Sequence, residues 1–136
     1  MKRFDLPAQI ESIAELTDGV NEELEAAGCP MRVQLQIDIA IDELFSNIAR
    51  YAYDDHNGEA SVILEITGEP KTARLTFVDS GKPFNPLLRE NPDVTLGVEE
   101  RKIGGLGIFV VKKSMDNVEY NFEDGKNILT IEKRFG

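Results

Sequence analysis

The chain reads as an α+β domain: an antiparallel-rich sheet with its helices on one face. Three observations predict this. Two long stretches in the first half repeat apolar residues every three or four positions, the signature of amphipathic helices. Short alternating runs follow in the middle and at the end, each bounded by turn residues, as half-buried strands require. The turn chemistry between neighbouring runs is tight enough to make hairpins, which join antiparallel strands.

Taken in order, an apolar stretch at Phe4 to Leu6 is the first expected strand. Ile10, Ile13, Leu16, Val20, Leu24 and Ala27 then mark a helix that stops at Gly28, a residue suited to a helix C-cap, with Pro30 just beyond. Val33, Ile37, Ala40, Ile41, Leu44, Ile48 and Ala52 line one face of a second helix running to about Tyr53. Asp54 to Gly58 is turn chemistry. Strands are expected at Ser61 to Thr67 and Arg74 to Asp79, joined by a hairpin loop at Gly68 to Lys71. A third helix is expected from Gly105 to about Met115, carrying Leu106, Phe109, Val110 and Lys113. Val118 to Phe122 and Ile128 to Phe135 close the chain as two strands around a turn at Glu123 to Asn127. Residues 82–103, with Pro83, Pro86, Pro92 and Gly97, form one long irregular stretch. Loops of that length inside a compact domain are usually functional lids or disordered.

The 136 residues are expected to make one domain, with 41% apolar and 29% charged residues marking an ordered globular chain. The balance of 15 basic against 25 acidic residues gives a net charge of −10, which argues against a nucleic-acid backbone as partner and favours basic protein partners. No apolar run approaches a membrane span, and the first residues lack a signal-peptide core, so a cytoplasmic protein is expected. Cys29 is the lone cysteine, read as a buried thiol. His56 lies in a polar turn without a nucleophile pattern, and Tyr51 and Tyr53 are expected to pack at the end of the second helix.

Three short motifs carry the chemistry. Glu43 and Asn47 are four residues apart, so they project from the same side of the second helix, at the margin of its buried face. A carboxylate there can act as a general base, and an amide oxygen can ligate Mg²⁺. A solvated Glu beside a helix-margin Asn has the same spacing. Asp79 ends an apolar strand with Gly81 two residues later, where a carboxylate can accept a hydrogen bond from an exocyclic amine and Gly81 admits a base close to the backbone. An ordinary Asp-Ser-Gly turn reads identically. Gly104, Gly105, Leu106 and Gly107 open the third helix, where uncrowded N–H groups and the helix dipole suit a phosphate. Arg101 and Lys102 just upstream can meet a terminal phosphate or stand solvated. Neither a dinucleotide fingerprint nor a Walker A motif is present.

In this order and spacing the motifs resemble the N, G1 and G2 boxes of the GHKL superfamily of ATP-binding domains. The segment from Asn47 to Tyr53 brings the chain near the stand-alone anti-sigma-factor serine/threonine kinases of bacterial partner switching. The resemblance implies a two-layer Bergerat-type sandwich, a mixed, mostly antiparallel sheet backed by about three helices. It implies ATP and Mg²⁺ as cofactors, with Glu43 as general base, Asn47 as Mg²⁺ ligand and Asp79 as adenine reader. Gly81, Lys102, Gly104, Gly105, Leu106 and Gly107 would complete the nucleotide site under a lid at 82–103. The partners implied are a sigma factor or other regulator and an anti-anti-sigma protein of the STAS type, phosphorylated on serine, with homodimers common in the family. These kinases typically carry His four residues after the Asn, and here Tyr51 takes that place. A nucleotide-held binding switch without efficient phosphotransfer, and a small acidic interaction domain without ligand, are the other two readings of the same residues.

Overall fold

The computed structural model describes residues 1–55, 57–88 and 105–135, with Gly105 and Leu106 described in their backbone alone. Strand β1 (Lys2–Pro7) leads into helices α1 (Ser12–Ala26) and α2 (Met31–Tyr51). Strands β2 (Glu59–Thr67) and β3 (Thr72–Asp79) follow, then a 3₁₀ turn at Pro86–Leu88, helix α3 (Gly105–Ser114) and strands β4 (Asn117–Glu123) and β5 (Lys126–Arg134). The sheet order is β1-β2-β3-β5-β4. Each described strand pair is antiparallel, so no parallel pair of the expected mixed sheet occurs among the described residues.

Local chemistry accounts for the helix boundaries. Gly28 takes φ 84°, and a Schellman pair closes α1: Cys29 N–H donates to Leu24 O at 3.0 Å and Gly28 N–H to Glu25 O at 3.0 Å. Gln34, buried on α2, donates to the Cys29 carbonyl at 2.9 Å, which explains a polar side chain at that depth. One core joins the layers: Leu16, Val20 and Leu24 of α1 and Ile37, Ile41 and Phe45 of α2 pack with Val62, Leu75, Phe77 and Ile131 of the sheet. Ile108 and Val111 of α3, with Met115 just beyond its end, are buried and meet the core; Val110 is exposed, and the Lys113 ammonium lies over the Phe109 ring at 5.6 Å.

Inward-facing residues alternate along β3 as Ala73, Leu75, Phe77 and Asp79, and along β5 as Asn127, Leu129 and Ile131. Two polar residues therefore end two adjacent apolar rows on the helix-covered face. The expected five-residue turn at Glu123 to Asn127 is only two residues wide. Asp124 (φ 53°) and Gly125 (φ 76°) both sit in the left-handed region, as a type I′ hairpin turn requires, and β5 resumes at Lys126.

Candidate functional site

The cleft lies where these rows end, beneath the C-terminal half of α2. Leu44, Asn47 and Ile48 of α2 line it with Phe77 and Asp79 of β3, Phe84 and Pro86 beyond β3, Tyr120 of β4, and Asn127 and Leu129 of β5. Its walls are mostly apolar, and its buried polar groups are few and specific, the composition of a small-molecule site.

Asp79 is 6% exposed and directly opposite Asn127 in the β3–β5 register. Both of its protein donors, the Asn127 amide at 2.9 Å and the Gly81 N–H at 2.9 Å, go to the same oxygen, Oδ1. Among the described residues Oδ2 receives none, which leaves an acceptor for an amine. Burial pushes the carboxyl above its ordinary 3.8, against the downward pull of those two hydrogen bonds.

Asn127 was missed in the sequence reading, and it is the most connected side chain of the site. Its amide donates to Asp79 Oδ1 and to Lys82 O, each at 2.9 Å. Its Oδ1 accepts from Phe84 N–H at 3.1 Å and from the Tyr120 hydroxyl. Two donors and two acceptors are thereby used, the full capacity of an amide side chain. Asn127 thus holds Asp79 and the chain from Lys82 to Phe84 in one arrangement.

Glu43 and Asn47 meet as their spacing predicted: the Asn47 amide lies 3.4 Å from Glu43 Oε1 as donor. With its nitrogen turned to Glu43, Asn47 presents an Oδ1 that accepts nothing from the described residues. Among the described residues no three His, Cys, Asp or Glu side chains gather as a metal cage. A hard cation here would therefore rest on the Asn47 oxygen and on phosphate oxygens, as Mg²⁺ commonly does. Helix α3 closes on the same carboxylate. A Cβ built on Gly107 would lie 2.2 Å from Glu43 Oε2, so only glycine lets the first turn of α3 lie against Glu43. Gly107→Ala is expected to push the Glu43 carboxylate aside without unfolding the chain, because the obstructing atoms end a flexible side chain. If Glu43 reacts, a shift of this size should slow the reaction about 10–100-fold with nucleotide affinity nearly kept; steady-state kinetics beside calorimetric titration check it.

Gly81 has a reason that the sequence did not show. A Cβ there would lie 2.2 Å from the Ala52 carbonyl oxygen, and Lys82 N–H bonds that same oxygen at 3.0 Å. The missing side chain thus lets the β3 exit dock on the end of α2. Tyr53 secures the same junction, its hydroxyl donating to Glu59 O at 2.7 Å and accepting from Ser80 N–H at 2.9 Å. Tyr51 packs on Phe84 with ring centroids 5.4 Å apart. Residues 82–88 are therefore fastened to the body of the domain, and Lys112 of α3 donates to Leu87 O at 3.2 Å. The rest of the expected lid, with Arg101, Lys102 and Gly104, lies outside the described residues, as do the Leu106 side chain and His56. Gly105 is placed as the first residue of α3.

The raised Asp79 pKa has opposite consequences for stability and for binding. Because the folded pKa lies above the unfolded one, the carboxylate costs stability at higher pH. That cost is relieved as pH falls through the folded pKa and stops changing below 3.8. An amine that needs the ionised oxygen is released over the same interval. Denaturant unfolding of the parent and Asp79→Asn between about pH 7 and about pH 4 should show the parent gaining relative stability on acidification.

Compared with known proteins, residues 6–133 match the family model described as a histidine kinase-like ATPase domain. The chain belongs to the histidine kinase-like ATPase family. This membership agrees with the GHKL resemblance. Among curated relatives, the serine-protein kinase RsbW of a Bacillus cereus strain is 27% identical over 144 residues, covering 95% of this chain and 85% of its own length. RsbW of Listeria monocytogenes is 26% identical, with 93% and 82% covered. Among solved structures, the RsbU and RsbW domains of Rv1364c from Mycobacterium tuberculosis superpose with a TM-score of 0.65 at 15% identity. That alignment takes in 99% of this chain and 33% of the larger protein, about a third of its length. The nucleotide-free catalytic domain of histidine kinase ThkA superposes at 0.51 with 12% identity, over 99% of this chain and 98% of that one. Both likenesses concern the fold. For a histidine kinase-like ATPase the site is in keeping with nucleotide: among the described residues Asp79 Oδ2 and Asn47 Oδ1 receive no hydrogen bond, and a glycine-bearing helix start lies against Glu43. No helix among the described residues is long and apolar enough to cross a membrane.

Proposed function

We propose that this histidine kinase-like ATPase is an ATP-dependent serine/threonine protein kinase that holds a transcription regulator, such as a sigma factor, and phosphorylates a STAS-type partner. The observation that carries the reading is that Asn47 of α2 and Asp79 of β3 line one cleft, with Glu43 held by the Asn47 amide and the Gly107 turn of α3 lying against Glu43. The likeness to RsbW over nearly the whole chain supports the protein-kinase class. Bound ATP with Mg²⁺ supplies the transferable phosphoryl group. The chain's own residues do the rest. Asp79 Oδ2 receives the adenine amine while Asn127 and Gly81 fix Oδ1. Asn47 offers its amide oxygen to the cation. The first turn of α3 turns its backbone N–H groups toward the phosphates, where the helix dipole favours negative charge. Glu43 takes the proton from the partner's serine hydroxyl.

The test is transfer of labelled γ-phosphate from Mg²⁺-ATP to purified STAS-domain proteins of the source genome, taken one at a time. Incorporation on a serine of one of them supports the reading. Tight ATP binding with no transfer to any of them would instead make the chain a nucleotide-held binding switch.

A further inference from the structure

The exposed side of α2 carries an apolar ridge that neither the core nor the cleft uses. Met31, Leu35 and Ile39 are 64%, 54% and 50% exposed, while the other face of the same helix is sealed in the core. They follow one another at four-residue steps, which on a helix forms a single continuous surface ridge. The next step along that ridge is Glu43. From Met31 to Glu43 the ridge climbs about 18 Å at the ~1.5 Å rise of a helix. Large apolar side chains lined up in the open are the usual mark of a protein contact. The polar surroundings state what kind. Exposed Asp42 and half-buried Asp38 run along one side of the ridge, and Asp18 of α1 is close enough to act on Asp38. A matching surface would be apolar with a basic rim.

We propose that the ridge of Met31, Leu35 and Ile39 is the docking surface for the protein that receives the phosphoryl group, an apolar surface edged with Lys or Arg, which it leads to Glu43. The proposal rests on the kinase reading. A partner lying along α2 has its far end at the general base, so docking and proton removal share one helix. Specificity for the protein substrate is then separate from the nucleotide contacts, which come from the C-terminal half of α2, the sheet and α3.

The probe is the STAS-domain protein that the parent phosphorylates, with the full-length chain as enzyme. Leu35 sits about 12 Å from Glu43 along the helix and contributes nothing to the cleft. Leu35→Glu should raise KM for the protein substrate at least about tenfold, with kcat and ATP affinity near parental values; a rise in KM alone is the sign of lost docking. Leu35→Met, which keeps the apolar surface, should retain the parental KM, and raising the ionic strength should raise KM in the parent by screening the acidic flank. An unchanged KM for Leu35→Glu overturns the proposal while leaving the kinase reading intact. Sedimentation showing that Leu35→Glu splits a parental dimer also overturns it, since the ridge would then join two copies of this chain. A parent that phosphorylates none of the STAS proteins overturns the kinase reading and the docking proposal together.

Discussion

Glu43→Gln should bind ATP nearly as tightly as the parent and lose phosphotransfer by about 10²–10⁴-fold, the range that a positioned general base contributes. The substitution isolates the proton-accepting role because it preserves everything else that the structure assigns to the position. Gln is similar in size, so the first turn of α3 still packs over it at Gly107. Its side-chain oxygen still accepts from the Asn47 amide, whose nitrogen faces Glu43 Oε1. The end of the cleft at Asp79 and Asn127, where the adenine is proposed to bind, belongs to other elements and is untouched. The expected pattern is therefore a collapse of kcat with little change in nucleotide affinity. Phosphotransfer at the parental rate would remove Glu43 from the chemistry and direct attention to a base carried by the partner.

Asn127→Ala should cost about 2–4 kcal/mol of folding stability and weaken nucleotide binding with it. The stability loss follows from what the amide leaves behind. Lys82 O, Phe84 N–H and the Tyr120 hydroxyl lose their Asn127 partner at once, and among the described residues Asp79 Oδ1 keeps only Gly81. Asn127→Asp makes the sharper comparison, because it sets a second carboxylate against Asp79, where the parent has an amide at 2.9 Å. Two carboxyls that close share a proton, so this variant should be worst near neutral pH and recover as the pair takes up a proton on acidification. Thermal melts of the three proteins across pH show whether that order holds. A melting temperature for Asn127→Ala equal to the parent's would mean that the node is decorative.

The same residues show what the sequence made legible and what it hid. Glu43 and Asn47 were readable because a four-residue spacing on a strongly periodic helix leaves little freedom in where the side chains point. Asp79 was readable because it continues the row of Leu75 and Phe77. Asn127 was within reach too: stepping back from Ile131 and Leu129 by twos arrives at it. It was lost because five residues were given to a turn that needs two, once Asp124 and Gly125 both adopt positive φ. The reasons for Gly81 and Gly107 were out of reach, since each is a glycine on account of a neighbour far away in the chain, Ala52 and Glu43 respectively. Which side of α3 is buried was out of reach for a related cause: a ten-residue helix with apolar residues on several sides takes its orientation from what it packs against.

The kinase chemistry and the docking ridge both presuppose that the cleft is an adenine-nucleotide site read by Asp79, and calorimetric titration tests that most directly. The parent and Asp79→Asn are each titrated with ATP, and with the purine riboside triphosphate that lacks the 6-amino group, in the presence of Mg²⁺. Asp79→Asn should lose about tenfold to hundredfold in ATP affinity, the equivalent of roughly 1–3 kcal/mol for a buried polar contact left unmet. The amine-free nucleotide should bind both proteins alike. Equal ATP affinity in the parent and a correctly folded Asp79→Asn protein would contradict the adenine-reader role.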